Sequence, residues 1–101
     1  MFRIFIVTLL CGGVFSASST ALEPIWSYNA PLGTIDSTPT VADMDGDGKN
    51  DIVMTSTGGS VIVLDGQGSK IWMRGVQIPI SLSPTVADLV EGPELEVLVL
   101  N

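Results

Sequence analysis

The sequence predicts an all-β fold. Short β-branched and apolar runs alternate with glycine- and aspartate-rich turns. No stretch holds an apolar period of 3.6 residues. One pattern, strand then acidic or degenerate loop then strand, returns forty-five residues after its first appearance.

The elements follow in order. Thr38-Pro39-Thr40-Val41-Ala42 reads as a short strand leading into a loop that opens at Asp43. Asp51 to Ser56 is a second strand, Gly58-Gly59 a turn, and Ser60 to Asp65 a third strand. Asp65-Gly66-Gln67-Gly68 is a hairpin turn, and Ser69 to Arg74 a fourth strand. These runs are apolar at nearly every position rather than at alternate ones, which expects burial on both faces, as between stacked sheets.

Thr38-Pro39-Thr40-Val41-Ala42-Asp43 recurs as Ser83-Pro84-Thr85-Val86-Ala87-Asp88, and at the same offset Asp51-Ile52-Val53-Met54 falls on Glu96-Val97-Leu98-Val99. Trp26 and Trp72 precede the two copies at a similar place, which expects packing between repeats rather than a sugar-stacking platform. Four short strands in about 45 residues is the size of one β-propeller blade. The expected organisation is a signal peptide at 1–21, a lead-in segment at 22–36 with the final strand of a preceding or closing blade, a full repeat at 37–81, and the start of a degenerate repeat at 82–101. One blade cannot bury its faces alone. The expectation is therefore a fragment of a full propeller, completed by further blades in cis or by other chains.

The signal-peptide reading rests on Arg3, an apolar stretch from Ile4 to Phe15 and small residues ending at Ala21, with Leu22 as the new N-terminus. A dozen apolar residues fall well short of the ~20 that span a bilayer, so no stable span is expected after cleavage. Cys11 is the sole cysteine and lies in this segment; Leu10 before it argues against a lipoprotein. The expected location is secreted or cell-surface, or periplasmic if the source is bacterial. From Leu22 onward eleven acidic residues face three basic ones, Lys49, Lys70 and Arg74, a net charge of about −8. Such a balance argues against nucleic acid and anionic membranes as partners. The partner class left open is a protein or carbohydrate.

The chemistry concentrates in Asp43-Met44-Asp45-Gly46-Asp47-Gly48-Lys49-Asn50-Asp51. Four carboxylates stand at loop positions 1, 3, 5 and 9. Left unneutralised they repel; a hard cation taking oxygen ligands turns that cost into binding, and Ca²⁺ is the usual one. An EF-hand would need flanking helices and a Glu at position 12, where Met54 stands in a strand pattern; a dockerin-type loop fails on the same ground. A bare acidic turn needs fewer carboxylates than this. The second loop expects weak metal binding or none, because Val90, Gly92 and Pro93 replace Asp45, Asp47 and Gly48.

The acidic loop between strands, preceded by Thr-Pro-Thr-Val-Ala, resembles the FG-GAP/VCBS repeats, the module of the integrin α-subunit propeller. The resemblance covers Asp36 to about Trp72, and Leu82 to Asn101 more loosely. It implies a hairpin that wraps one Ca²⁺, with Asp43, Asp45, Asp47 and Asp51 as side-chain ligands and Lys49 giving its backbone carbonyl. Gly46 and Gly48 would supply the positive-φ turns. The Phe-Gly…Gly-Ala-Pro segment that names the family is absent. That places the chain nearer VCBS-type variants and argues against integrin-like ligand binding.

No histidine occurs, and Cys11 would be removed with the signal peptide, so neither a Ser-His-Asp nor a Cys-His site can be built. Nothing sets Asp36, Asp88 or Glu91 apart as a glycosidase pair. The reading is a non-catalytic, exported Ca²⁺-binding repeat protein for adhesion or recognition. The alternative is the N-terminal part of a secreted propeller enzyme, a polysaccharide lyase or a quinoprotein-like oxidoreductase. The Leu64-to-Trp72 segment resembles quinoprotein-type blades, and the catalytic residues would then lie beyond residue 101.

Overall fold

A computed structural model describes residues 7–8 and 23–101. The expected signal peptide therefore lies outside the described residues, apart from the two-residue strand β1 (Val7–Thr8). This strand pairs in parallel with β2 (Trp26–Ser27). No helix among the described residues is long and apolar enough to cross a membrane.

The centre of the molecule is a four-stranded antiparallel sheet in the order β3 (Thr40–Ala42), β4 (Asp51–Ser56), β5 (Ser60–Leu64), β6 (Lys70–Gly75). This is one up-and-down blade, as the sequence predicts. A second antiparallel pair, β7 (Thr85–Ala87) with β8 (Glu96–Leu98), repeats β3–β4 at the expected offset. Ala42 faces Asp51 in the first pair and Ala87 faces Glu96 in the second, so both loops spring from the same register.

β4 and β5 bury both faces, the physical reason their sequences are apolar without alternation. Val53, Val61 and Val63 point to one side with Ile80, where Trp72, Val86, Val97 and Val99 pack. Met54, Ile62 and Leu64 point to the other, where Trp26, Tyr28, Ala30, Ile35 and Met73 pack. The lead-in segment thus covers one face of the blade and the second repeat the other. Each tryptophan sits at the join between successive layers, as the sequence predicts.

Three boundaries differ from the sequence reading. β3 starts at Thr40 rather than Thr38, because Pro39 has no N–H for the ladder and the Thr38 N–H leaves it to reach Ser83 Oγ at 3.0 Å. β5 ends at Leu64, since the Asp65 N–H closes the turn on the Ser69 carbonyl. β6 runs one residue later than expected, and the pairing slips between Val63 and Leu64. The slip is a bulge that leaves Ile71 and Trp72, neighbours in sequence, against the same face.

The hairpin turn at 65–68 is held by Asp65, whose Oδ1 accepts the N–H groups of Gln67 and Ser69, each at 2.9 Å. Gly68 has φ +86°, and a Cβ there would lie 2.6 Å from the Trp26 ring. The Trp26 Nε1–H donates to the Gly66 carbonyl at 3.1 Å, tying the lead-in segment to this turn.

Candidate metal centre

The loop from Asp43 to Asn50 joins β3 to β4, and its base is the register pair Ala42–Asp51. Gly46 and Gly48 adopt φ of +75° and +83°, the left-handed turns expected of them. These turns aim successive amides inward. Asp43 Oδ1 accepts from the N–H of Gly46 at 2.9 Å and of Asp47 at 3.2 Å, and its Oδ2 from Gly48 at 2.8 Å. Position 1 is thus the hub of the loop, a role the spacing of carboxylates alone does not disclose.

Asp43, Asp45 and Asp51 converge: one carboxylate oxygen from each lies within 4.8 Å of the others. Oxygens around one Ca²⁺ at about 2.3–2.6 Å stand no more than about 5 Å apart, so this spacing fits one ion. Asp47 is not in the group. Its Oδ1 accepts the Lys49 N–H at 2.8 Å in a local turn at the exposed tip. Lys49 contributes that N–H; the role of its carbonyl remains what the family resemblance implies.

The electrostatics favour a cation. Asp51 is 1% exposed, and a buried carboxylate needs a counter-charge or a metal. Among the described residues its hydrogen-bond donor is the Met44 N–H, at 2.8 Å to Oδ2. The carboxylate retains lone pairs for an ion. For Asp45, the Asp47 N–H stabilises the charged form. Lost hydration, the hydrogen bond with the Asp47 side chain and the charges of Asp47 and Asp51 oppose that and raise its pKa above the ordinary carboxylate value. The loop opens on a cleft of about 700 Å³ bounded also by Trp72, Arg74 and Glu94, which gives an ion a route from solvent.

The second loop keeps part of this scaffold. Glu96 Oε2 accepts the N–H of Leu89 at 2.8 Å and of Val90 at 3.2 Å. The position equivalent to Gly48 is Pro93, which has no N–H to give to Asp88.

A sheet of this order, with an acidic loop at its first hairpin and a second copy beside it, defines a repeat-built all-β protein. Residues 37–72 match the family model described as FG-GAP repeat, so this segment is similar to an FG-GAP repeat. The match spans the loop and all four strands of the blade up to Trp72. No curated protein matches the chain.

Proposed function

We propose that this is an exported, non-catalytic Ca²⁺-binding propeller repeat protein that serves adhesion or recognition. The observation that carries the reading is the convergence of Asp43, Asp45 and Asp51 on a buried loop base, with spacing suited to one hard cation. FG-GAP repeats are typically extracellular, where millimolar Ca²⁺ meets the roughly 10⁻⁴–10⁻³ M affinity common in extracellular modules.

Asp43 and Asp45 would hold the ion from the loop and Asp51 from the first residue of β4. When bound, Ca²⁺ supplies the charge that cancels their repulsion. Asp43 fixes the backbone through three amides, and Asp51 ties the loop to the central sheet. The outcome is a stiff edge at one end of the blade, suited to presenting a surface to a protein or carbohydrate ligand.

Leu89, Val90, Leu98 and Leu100 are exposed on the second repeat. Their counterparts in the first, apart from the loop residues, are buried: Leu98 is 47% exposed, whereas Val53 at the same repeat position is 0%. Further blades, in cis or from other chains, would cover them.

Isothermal titration with CaCl₂, paired with thermal melts in Ca²⁺ and in EDTA, tests the reading. Saturable binding and a higher melting temperature in Ca²⁺ are expected. A folded protein whose melt is the same in both conditions would sink it.

A further inference from the structure

The two loops share a carboxylate at positions 1 and 9 and differ at the other expected ligand positions, yet they close in the same way. In the first, the N–H of loop residue 2, Met44, donates to the carboxylate of loop residue 9, Asp51, at 2.8 Å. In the second, the N–H of Leu89 donates to Glu96 at 2.8 Å. Met44 and Leu89 are forty-five residues apart, and so are Asp51 and Glu96. The longer glutamate side chain also reaches the Val90 N–H.

We infer that the ninth-position carboxylate is a latch that closes the loop by binding the backbone N–H of its second residue, in both repeats and without a metal. This sets Asp51 and Glu96 apart from the other loop acids. Asp43 works through the amide of Gly48, a contact that Pro93 rules out in the second loop. Position 3 is Asp45 in one loop and Val90 in the other, so the cation group is not shared. The latch is the part that survives when the ligands are lost.

The chemistry explains the survival. Residue 9 is the first residue of β4 or β8, paired with the last residue of β3 or β7. Leaving the sheet there takes the N–H two residues on out of the ladder, and a carboxylate accepts it with a charge-assisted bond. A metal can share that carboxylate in the first loop, but the N–H needs its acceptor in either case. Asp51 therefore acts as a positioning residue, presenting a preformed site. For the first loop this builds on the calcium reading; for the second it stands alone.

Hydrogen exchange on the intact chain in EDTA is the direct test. The Met44 and Leu89 amides should exchange at least about tenfold slower than the Glu91 amide at the tip of the second loop. Glu96→Gln keeps an acceptor without the charge and should retain most of the Leu89 protection, with a melting temperature between those of wild type and Glu96→Ala. Glu96→Ala should lose the protection and lower the metal-free melting temperature by about 4–8 °C. Asp51→Asn should likewise hold Met44 in EDTA while weakening Ca²⁺ binding. Unprotected amides in the folded wild type, or full protection of Leu89 in Glu96→Ala, would overturn the latch. If the amides are protected but no Ca²⁺ binds, the calcium reading falls and the latch stands.

Discussion

The Thr38 N–H donates to Ser83 Oγ at 3.0 Å, and the two residues hold the same position in successive repeats. Thr40 Oγ1 likewise donates to the carbonyl of Pro84, the neighbour of its counterpart Thr85. Equivalent points of units fanned about an axis lie closest where they are nearest that axis. Among the described strands, β3 and β7 are the pair whose backbones approach each other between the two repeats. The first strand of each repeat is therefore the inner one, and these hydrogen bonds fix the angle between layers.

Ser83→Ala removes the acceptor for the Thr38 N–H. The site is exposed, so water takes over part of the loss, and a cost of about 0.5–1 kcal/mol is expected by urea denaturation. Ser83→Thr keeps the hydroxyl and should leave the midpoint near wild type. Equal midpoints for Ala and wild type would show that the contact does not hold the repeats together.

Thr55 makes a stronger tie. It is fully buried, its Oγ1–H donates to the Leu82 carbonyl at 3.0 Å, and its oxygen lies 2.8 Å from Ser37 Oγ. With its own proton committed to Leu82, Thr55 must accept from Ser37. Thr55→Val preserves shape but strands both partners, so a loss of about 1–3 kcal/mol is expected. Thr55→Ser should retain most of the stability. A valine variant as stable as wild type would mean that Ser37 and Leu82 find other partners.

The core should respond by position rather than by residue type. Leu64 is fully buried beside Met54 and Ile62, and Leu64→Ala should cost about 2–5 kcal/mol. Val41, equally apolar and in the neighbouring β3 strand, is 60% exposed, and Val41→Ala should stay within about 0.5 kcal/mol of wild type. Chemical denaturation of the pair checks the orientation of β3, because a flipped β3 would bury Val41 and bring its cost up toward that of Leu64.

Much of this was legible in the sequence. The bounds of β4, the double-sided burial of β4 and β5, and the place of the second repeat follow from local composition and the forty-five-residue recurrence. What was hidden depends on partners far along the chain. Thr38 reads as strand until Ser83 takes its N–H. Ile71 and Trp72 should face opposite ways by alternation, and a bulge puts them together. At the loop, carboxylate spacing points to a cation but cannot separate an acid that faces the ion from one that holds an amide. That is why Asp43, Asp45, Asp47 and Asp51 look alike in sequence and differ in structure.

The difference between Asp45 and Asp47 gives the sharpest test of the metal centre. Asp45 lies with Asp43 and Asp51, while Asp47 binds the Lys49 N–H at the tip. Losing an outer partner of a metal ligand commonly costs 10–100-fold in affinity, and losing a ligand itself costs more. Asp45→Ala should therefore reduce Ca²⁺ affinity by more than about 100-fold and erase the Ca²⁺-dependent rise in melting temperature. Asp47→Ala should keep measurable binding, weaker by about tenfold, because it loosens the turn without removing one of the three converging carboxylates. Equal losses in the two variants would mean that Asp47 swings in to join the ion, making the site a four-carboxylate cage once loaded.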